Sequence, residues 1–186
     1  TPAGRCPVDF PPLDRFGRRI MICGPSNSGK STLAVAIGRK LGLPVVHLDR
    51  LHHLPNSDWV KRPYDEFARL HDAAIAGDAW VMEGNYSSLF PQRIERATGI
   101  ILLGDNRWAN LRRYVVRTLF QRHRAGDLEG NADSIKWLMV RWILFNSQRS
   151  VRRYRELLPR AGRPYVERRN MAELNRLYAA WGLARG

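Results

Sequence analysis

The sequence predicts a doubly wound α/β domain, in which helices cover both faces of a parallel sheet. Short apolar runs alternate along the chain with longer amphipathic stretches, which is the rhythm of βαβ units. Each short run is continuously apolar at its centre, as expected for a strand that is buried on both faces. The length of 186 residues fits one such domain and excludes two large ones.

The elements follow in order along the chain. The strand candidates are Arg19–Cys23, Pro44–Leu48, Ala79–Glu83, Gly99–Leu103 and Arg163–Glu167. The helix candidates are Lys30–Leu41, Pro63–Ala76, Trp108–His123, Ser134–Leu158 and Met171–Trp181. Residues 1–17 contain four prolines and little periodicity, so we expect an irregular N-terminal tail followed by a single domain over residues 18–186.

The composition indicates a globular protein of the cytoplasm. Hydrophobic residues make up 44% of the chain and charged residues 26%, which excludes intrinsic disorder. Cys6 and Cys23 are the only cysteines, so we expect reduced thiols rather than a disulfide framework. The longest apolar stretch, residues 135–145, carries two basic residues and is too short to cross a bilayer. No apolar signal core follows the first residues, so we expect no export and no membrane partner.

A phosphate-binding motif follows the first strand candidate directly. The motif has the Walker A pattern G-x-x-x-x-G-K-[ST] and consists of Gly24, Pro25, Ser26, Asn27, Ser28, Gly29, Lys30, Ser31 and Thr32. The glycines let backbone N–H groups and the start of the next helix converge on phosphate oxygens. Lys30 would bridge the β- and γ-phosphates as a catalytic cation, and Ser31 would offer its hydroxyl to Mg²⁺. The motif therefore predicts binding of ATP with Mg²⁺.

Two acidic residues lie at the predicted ends of the next two strands. Asp49 follows the second strand and Glu83 ends the third, so both should emerge beside the phosphate loop. We expect Glu83 to be the acid in the outer coordination shell of Mg²⁺. We expect Asp49 to orient the acceptor or to act as its base. The alternative for each acid is a helix cap or a pair with an arginine. The five histidines, His47 among them, show no spacing typical of a zinc site.

Several segments together resemble a known family of small P-loop kinases related to adenylate kinase, and within it the DNA topology modulation (FlaR-like) proteins. The resemblance spans residues 19–181 and rests on the Walker A loop, on His47-Leu48-Asp49, on residues 59–63, on residues 80–87, on residues 93–97, on Arg107-Trp108 and on a helix containing Trp137 and Trp142. Two positions depart from the family pattern, because Glu83 and Gly104 stand where the group usually has aspartate.

The resemblance implies a fold, a reaction and further site residues. The fold would be a three-layer α/β/α P-loop NTPase domain with a five-stranded parallel sheet, similar to nucleoside monophosphate kinases, with a lid at about residues 121–133. The reaction would transfer the γ-phosphoryl group of ATP to a nucleotide, nucleoside or similar small acceptor. Arg113 and Arg117 lie four residues apart on one helical face. Arg113 would flank the adenine, and Arg117 would contact the γ-phosphate as a catalytic residue.

Two more arginines lie in segments that should border the acceptor. Arg62 and Arg93 would bind a phosphate of the acceptor, since a guanidinium makes bidentate hydrogen bonds to such groups. The alternative is that each pairs with a nearby acid, for which Asp58, Asp65 and Glu95 are the candidates. The sequence leaves both interpretations open.

The positive charge allows a different class of function. The net charge is +14, and residues 107–169 hold 16 basic and 5 acidic residues. Such asymmetry is typical of proteins with an anionic partner. The alternative function is therefore an ATP-controlled nucleic-acid-binding protein that modulates DNA topology, or an ATPase without small-molecule kinase activity. We favour the kinase, since the basic segment coincides with the lid and no recognition helix or RNA-binding signature occurs. The acceptor and the oligomeric state stay open.

Overall fold

A computed structural model describes residues 10–57, 59–104, 108, 110–112, 115–116 and 147–185. Within them lies a five-stranded sheet made of β1 (Arg19–Cys23), β2 (Val45–His47), β3 (Trp80–Glu83), β4 (Gly99–Leu103) and β5 (Tyr165–Arg168). Neighbouring strands run parallel, and their order across the sheet is β2-β3-β1-β4-β5. The predicted α/β class and the five-stranded parallel sheet are confirmed.

Helices connect these strands. The α-helices are α1 (Lys30–Leu41), α2 (Leu48–His52), α3 (Tyr64–Ala76), α4 (Phe90–Arg96), α5 (Ser147–Leu157) and α6 (Met171–Ala180). Short 3₁₀ helices occur at Leu13–Phe16, Ser87–Leu89 and Leu158–Ala161. The described residues among 108–116 are helical as well. None of the helices in the described part of the chain is long and apolar enough to cross a membrane.

The sheet is the middle of three layers, because alternate residues along each strand enter different apolar clusters. One face is covered by α1 and α6, and its cluster includes Ile20, Ile22, Leu33, Ile37, Val81, Ile101, Leu174 and Leu177. The other face is covered by α3, α4 and α5, and its cluster includes Met21, Phe67, Trp80, Met82, Phe90, Leu102 and Tyr154. Burial on both faces explains why the strands are continuously apolar.

The helix that follows the phosphate loop has the bounds that the sequence predicts. It begins at Lys30 and ends at Leu41, where Gly42 adopts the left-handed conformation (φ +62°) and its N–H donates to the carbonyl of Gly38. The sequence did not predict α2 or α4, which are five and seven residues long. Helices this short escape a periodicity search over windows of about 11–18 residues.

The N-terminal segment differs from the expected irregular tail over its described part. Leu13–Phe16 forms a 3₁₀ helix in which Phe16 is fully buried. The Phe16 ring meets the Trp181 ring edge to face at 5.2 Å, and the Trp181 indole N–H donates to the carbonyl of Pro11 at 2.9 Å. Apolar burial and this hydrogen bond attach residues 11–16 to the layer of α1 and α6.

Three predicted features fall partly or wholly outside the described residues. The helix candidates Trp108–His123 and Ser134–Leu158 are described only in part, the second as α5. The lid expected at about residues 121–133 lies wholly outside.

The sheet brings the phosphate loop and the predicted acids to one edge. In parallel strands all carboxyl ends lie on the same side, and ligands of open α/β sheets bind there. The phosphate loop follows β1, Glu83 ends β3, and α2 with Asp49 follows β2 directly. Because β3 lies between β1 and β2, Glu83 separates the loop from Asp49.

Candidate active site

The phosphate loop takes a conformation that depends on Gly24. This residue has φ +148°, and a Cβ placed on it would lie 2.2 Å from the carbonyl oxygen of Leu103 on β4. Only glycine fits so close to the neighbouring backbone. At the other end of the loop, Gly29 precedes α1, and no described side chain caps that helix. The first N–H groups of α1 are thus available to an anion.

Lys30 is the first residue of α1 and lies against the loop. Its Nζ donates a hydrogen bond of 2.8 Å to the carbonyl oxygen of Pro25. The loop and the first turn of α1 therefore bring together the nine residues that the Walker A pattern predicts as phosphate ligands. They place an ammonium group and a set of backbone N–H groups at one helix terminus, where the helix dipole adds further positive potential.

Glu83 lies buried beside the start of α1 and accepts two hydrogen bonds on the same oxygen. Ser31 Oγ donates to Oε1 at 3.0 Å, and His47 Nδ1 donates to it at 2.9 Å. Burial opposes ionisation of Glu83. The hydrogen bond from His47, the charge of Lys30 and the hydrogen bond from Ser31 outweigh it and hold the pKa of this carboxyl below its ordinary value of 4.5. Glu83 is therefore an anion at neutral pH.

The donor set around Glu83 fits magnesium. Mg²⁺ prefers oxygen ligands, retains several waters and is usually held by one or two protein oxygens together with phosphates. Ser31 and Glu83 supply a hydroxyl oxygen and a carboxylate at hydrogen-bond distance from each other. The described residues contain no group of three or more His, Cys, Asp or Glu that could hold a metal ion. The two protein oxygens of Ser31 and Glu83 suit an ion that takes its remaining ligands from phosphates and water.

The loop that follows β3 is tied to the phosphate loop. The Gly24 backbone N–H donates to Asn85 Oδ1 at 3.1 Å. One residue further, the Tyr86 hydroxyl donates to Asp49 Oδ1 at 2.6 Å. Asn85 therefore contacts the phosphate loop, and its neighbour Tyr86 contacts Asp49, the predicted acceptor base.

Arg93 lies in the protein interior and holds this loop. Its guanidinium donates to the carbonyl oxygens of Gly84 at 3.0 Å, Asn85, and Tyr86 at 2.8 Å, and its Nε makes a longer contact of 3.5 Å with Leu89. The residue is 0% exposed. The predicted role of Arg93 as a clamp for an acceptor phosphate does not fit this geometry, because its donors are committed to the chain itself.

The conformation that Arg93 holds is an unusual one. Gly84 has φ +133° and Tyr86 has φ +38°, and a non-glycine residue with positive φ needs support from its surroundings. Burial lowers the pKa of Arg93 to about 10, so the group is still cationic at neutral pH. The Phe90 ring lies 4.7 Å from the guanidinium carbon and adds a cation–π contact.

Asp49 lies in the first turn of α2, one residue beyond the predicted strand, and is exposed. Its partner Tyr86 packs against His52 and Phe67, with ring centroids 4.6 and 5.0 Å apart. Burial and the neighbouring carboxylate raise the pKa of the Tyr86 phenol, so this hydroxyl stays a hydrogen-bond donor. The structure thus presents an exposed carboxylate that accepts a hydrogen bond from a half-buried phenol.

Arg62 pairs with an acid one helical turn away. Its Nη1 lies 2.7 Å from Glu66 Oε1, and its side chain is 18% exposed. Glu66 was not among the partners that the sequence suggested. Because the Arg62 side chain is still partly exposed, its predicted contact with an acceptor stays a prediction. Arg113 and Arg117 lie outside the described residues, and their predicted contacts with ATP stay predictions too.

Sequence reasoning missed His47 and Asn85 as site residues. The signal for His47 is its position at the end of a strand that pairs with β3, since the register places it directly beside Glu83. The signal for Asn85 is its position in the loop after the strand that carries Glu83. Neither signal is usable before the strand order is known, because only that order identifies which strand ends are neighbours.

The strand order, the phosphate loop and the buried acid beside it define an α/β domain with the fold of P-loop small-molecule kinases. A gluconokinase from Sinorhizobium meliloti 1021 has this fold, with a TM-score of 0.55 and 17% sequence identity over 90% of this chain and 93% of that one. A shikimate kinase from Bacteroides thetaiotaomicron has it as well, with a TM-score of 0.51 and 17% identity over 89% of this chain and 99% of that one.

The sequence comparisons add no closer relative. No protein-family model matches the chain, and no curated protein matches it significantly. The similarity to the two kinases therefore concerns the fold.

Proposed function

We propose that the chain is an ATP- and Mg²⁺-dependent kinase that transfers the γ-phosphoryl group of ATP to a small acceptor. The observation that carries the proposal is the 3.0 Å hydrogen bond from Ser31 to Glu83 beside the phosphate loop. A glycine loop alone binds phosphate. A hydroxyl and an ionised carboxylate at its end add the oxygen atoms that a phosphate-bound magnesium ion needs. The fold supports the proposal, since two kinases share it.

The loop and the first turn of α1 would bind the phosphates of ATP. Lys30 would exchange its neutral partner, the Pro25 carbonyl, for phosphate oxygens of opposite charge. Ser31 would ligate the metal through its hydroxyl oxygen, and Glu83 would accept hydrogen bonds from the ion's waters. Magnesium, when bound, neutralises charge on the β- and γ-phosphates. These residues stabilise the charge that moves toward the leaving ADP.

Asp49 would act on the acceptor. For a hydroxyl acceptor, its carboxylate takes the hydroxyl proton while the acceptor oxygen forms a bond to the γ-phosphorus and the bond to the β-phosphate oxygen breaks. The exposure of Asp49 and its hydrogen bond to Tyr86 support this role, because the carboxylate is oriented yet reachable. Arg113 and Arg117 would contact the adenine and the γ-phosphate, and Arg62 would bind an acceptor that carries an anionic group.

The replacement Lys30→Ala tests the catalytic assignment. It removes the ammonium group without touching the core, so turnover should fall by about 100-fold or more while the fold is retained. Lys40→Ala is the matched control, because Lys40 lies on the same helix and contacts the carbonyl of Gly182 instead of the loop. Full transfer to a proven acceptor by the Lys30 variant would contradict the proposal.

The acceptor is best found with a panel assayed for ADP release. The panel should contain nucleoside monophosphates, nucleosides, sugars, and the acids gluconate and shikimate, which name the two kinases of the same fold. If the acceptor carries a phosphate or carboxylate, Arg62→Met should raise its KM several-fold. If the acceptor is neutral, the same change should leave its KM unaltered.

The exposed basic face of α5 supports a second candidate function, which is the nucleic-acid binding suggested by the resemblance to DNA topology modulation proteins. Arg149, Arg152 and Arg153 are exposed there. Filter binding to duplex and single-stranded DNA between about 50 and 200 mM salt, with and without ATP, separates the two functions. For a kinase we expect weak binding that salt abolishes and ATP leaves unchanged. ATP-dependent binding that persists at the higher salt concentration would favour the second function.

A further inference from the structure

We infer that His47 is a positioning residue for Glu83 and sets how tightly the site takes Mg²⁺ together with a nucleotide. The inference rests on the proposed kinase function and goes beyond it, since it assigns a role to a residue that the sequence analysis gave none. Three observations carry it: the strand register, the convergence of two hydrogen bonds on one oxygen, and the burial of both partners.

The backbone itself brings His47 and Glu83 together. The two residues are direct partners in the parallel register of β2 and β3, and each is the last residue of its strand. Directly paired residues project from the same face of a sheet. Their side chains are 8% and 5% exposed, and buried side chains have little freedom to part. The contact between imidazole and carboxylate is therefore built into the sheet.

The hydrogen bonds restrict a flexible side chain. A glutamate has three side-chain torsions, and its carboxylate can turn about the last of them. Both hydrogen bonds that the described residues make to the Glu83 carboxylate end on Oε1, one from His47 and one from Ser31. An ionised carboxylate only accepts hydrogen bonds, so His47 Nδ1 carries the shared proton. The imidazole thus fixes the oxygen to which the Ser31 hydroxyl is bound.

This arrangement also prepares Ser31 for a metal. A hydroxyl has one hydrogen and two lone pairs, and the hydrogen of Ser31 is already used by Glu83. The lone pairs are then left for the ion. Without His47, Glu83 would lose one of two donors while remaining buried, so its ionised form would be costlier and its orientation less defined. His47 does not itself qualify as a ligand, because Mg²⁺ prefers oxygen to nitrogen.

The test measures metal-dependent nucleotide binding and needs no acceptor. The affinity of the full chain for the non-hydrolysable analogue AMP-PNP is measured by calorimetry, in EDTA and over a series of Mg²⁺ concentrations. Three variants are compared. His47→Leu removes the donor, His47→Asn places an amide N–H near the position of ring Nδ1, and His47→Gln places it near the position of ring Nε2. Circular dichroism confirms that each variant is folded.

Positioning by His47 predicts a specific pattern. In His47→Leu, the Mg²⁺ concentration that gives half of the maximal gain in AMP-PNP affinity should be about 10- to 100-fold higher than in the wild-type chain. A loss of this size is usual when a partner of a metal-site residue is removed. Its affinity in EDTA should match that of the wild-type chain. His47→Asn should recover most of the loss, and His47→Gln should not. In a Glu83→Gln background, His47→Leu should change nothing further, since His47 acts through the carboxylate.

Two results overturn the inference, and they differ from failure of the proposed function. An unchanged Mg²⁺ dependence in His47→Leu would show that the imidazole does not position Glu83. Equal rescue by asparagine and glutamine would show that the residue matters for packing alone. If the wild-type chain binds no AMP-PNP with or without Mg²⁺, the proposed function fails as well, and this inference fails with it.

Discussion

The hydroxyl of Tyr86 donates a hydrogen bond of 2.6 Å to Asp49, and this bond joins the loop after β3 to the first turn of α2. The same loop accepts the Gly24 N–H through Asn85 and is held from inside by Arg93. One short segment therefore fixes the proposed acceptor base relative to the phosphate loop. Alignment of reacting groups to a fraction of an ångström is a large part of catalysis of phosphoryl transfer.

Tyr86→Phe should lower kcat with the identified acceptor by about tenfold while the KM for ATP stays the same. The ring contacts with His52 and Phe67 are retained, and only the hydrogen bond to a charged group is lost, which is worth about 1.5 kcal/mol or more. Steady-state kinetics measures the effect. Tyr64→Phe is the matched control, because Tyr64 is exposed, and it should behave as the wild type. An unchanged kcat in the Tyr86 variant would mean that Asp49 needs no orienting partner.

Arg93→Met should destabilise the fold by about 3 kcal/mol or more, because it leaves several interior carbonyl groups without a donor. For a chain of this size the expected fall in Tm is about 6–12 °C, which differential scanning calorimetry measures. Arg62→Met is the matched control, since its partly exposed pair with Glu66 contributes about 0–1 kcal/mol. Equal effects of the two replacements would refute the structural assignment of Arg93.

Gly24→Ala should weaken AMP-PNP binding by about tenfold or more, since relief of the clash with the Leu103 carbonyl needs a backbone shift that costs about 1–3 kcal/mol. Gly42→Ala serves for comparison. Gly42 also has a positive φ, but a Cβ there meets no atom within 4 Å. That variant should lose about 1 kcal/mol of stability and keep its nucleotide affinity. Calorimetric titration distinguishes the two.

Acid should destabilise the protein through His71 on α3. This side chain is fully buried, with Nδ1 3.1 Å from Asp72 Oδ1, and burial lowers its pKa below the ordinary value of 6.5. Between the two pKa values the unfolded chain binds more protons, so the free energy of unfolding falls as pH drops below 6.5. The contribution of this group is at most about 1.4 kcal/mol per pH unit. Urea unfolding between pH 7 and 5 should show a shallower loss for His71→Leu than for the wild type.

The sequence predicts those parts of the molecule that depend on local pattern. The strands and α1 follow from apolar runs and from glycines at the loop ends, and the residues of the phosphate loop follow from one motif. The proximity of Ser31 and Glu83 also agrees with expectation, because carboxyl ends of parallel strands share one edge.

The sequence could not predict what depends on strand order or on the direction of a side chain. His47 is a neighbour of Glu83 only because β2 pairs with β3 in one register. Arg93 illustrates the second difficulty. A guanidinium that binds a ligand phosphate and one that binds backbone carbonyls present the same donors, so residue type and spacing do not distinguish them.

The close approach of Gly24 to Leu103, together with its hydrogen bond to Asn85, has a consequence for cooperativity. The first residue of the phosphate loop is held by the Asn85 side chain, which follows β3, and lies against the end of β4. These two contacts tie the start of the loop to β3 and β4, the strands on either side of β1 at the centre of the sheet. We therefore expect the start of the loop to move together with the centre of the sheet rather than by itself. A nucleotide bound to the loop would therefore raise the free energy of unfolding of the three central strands together.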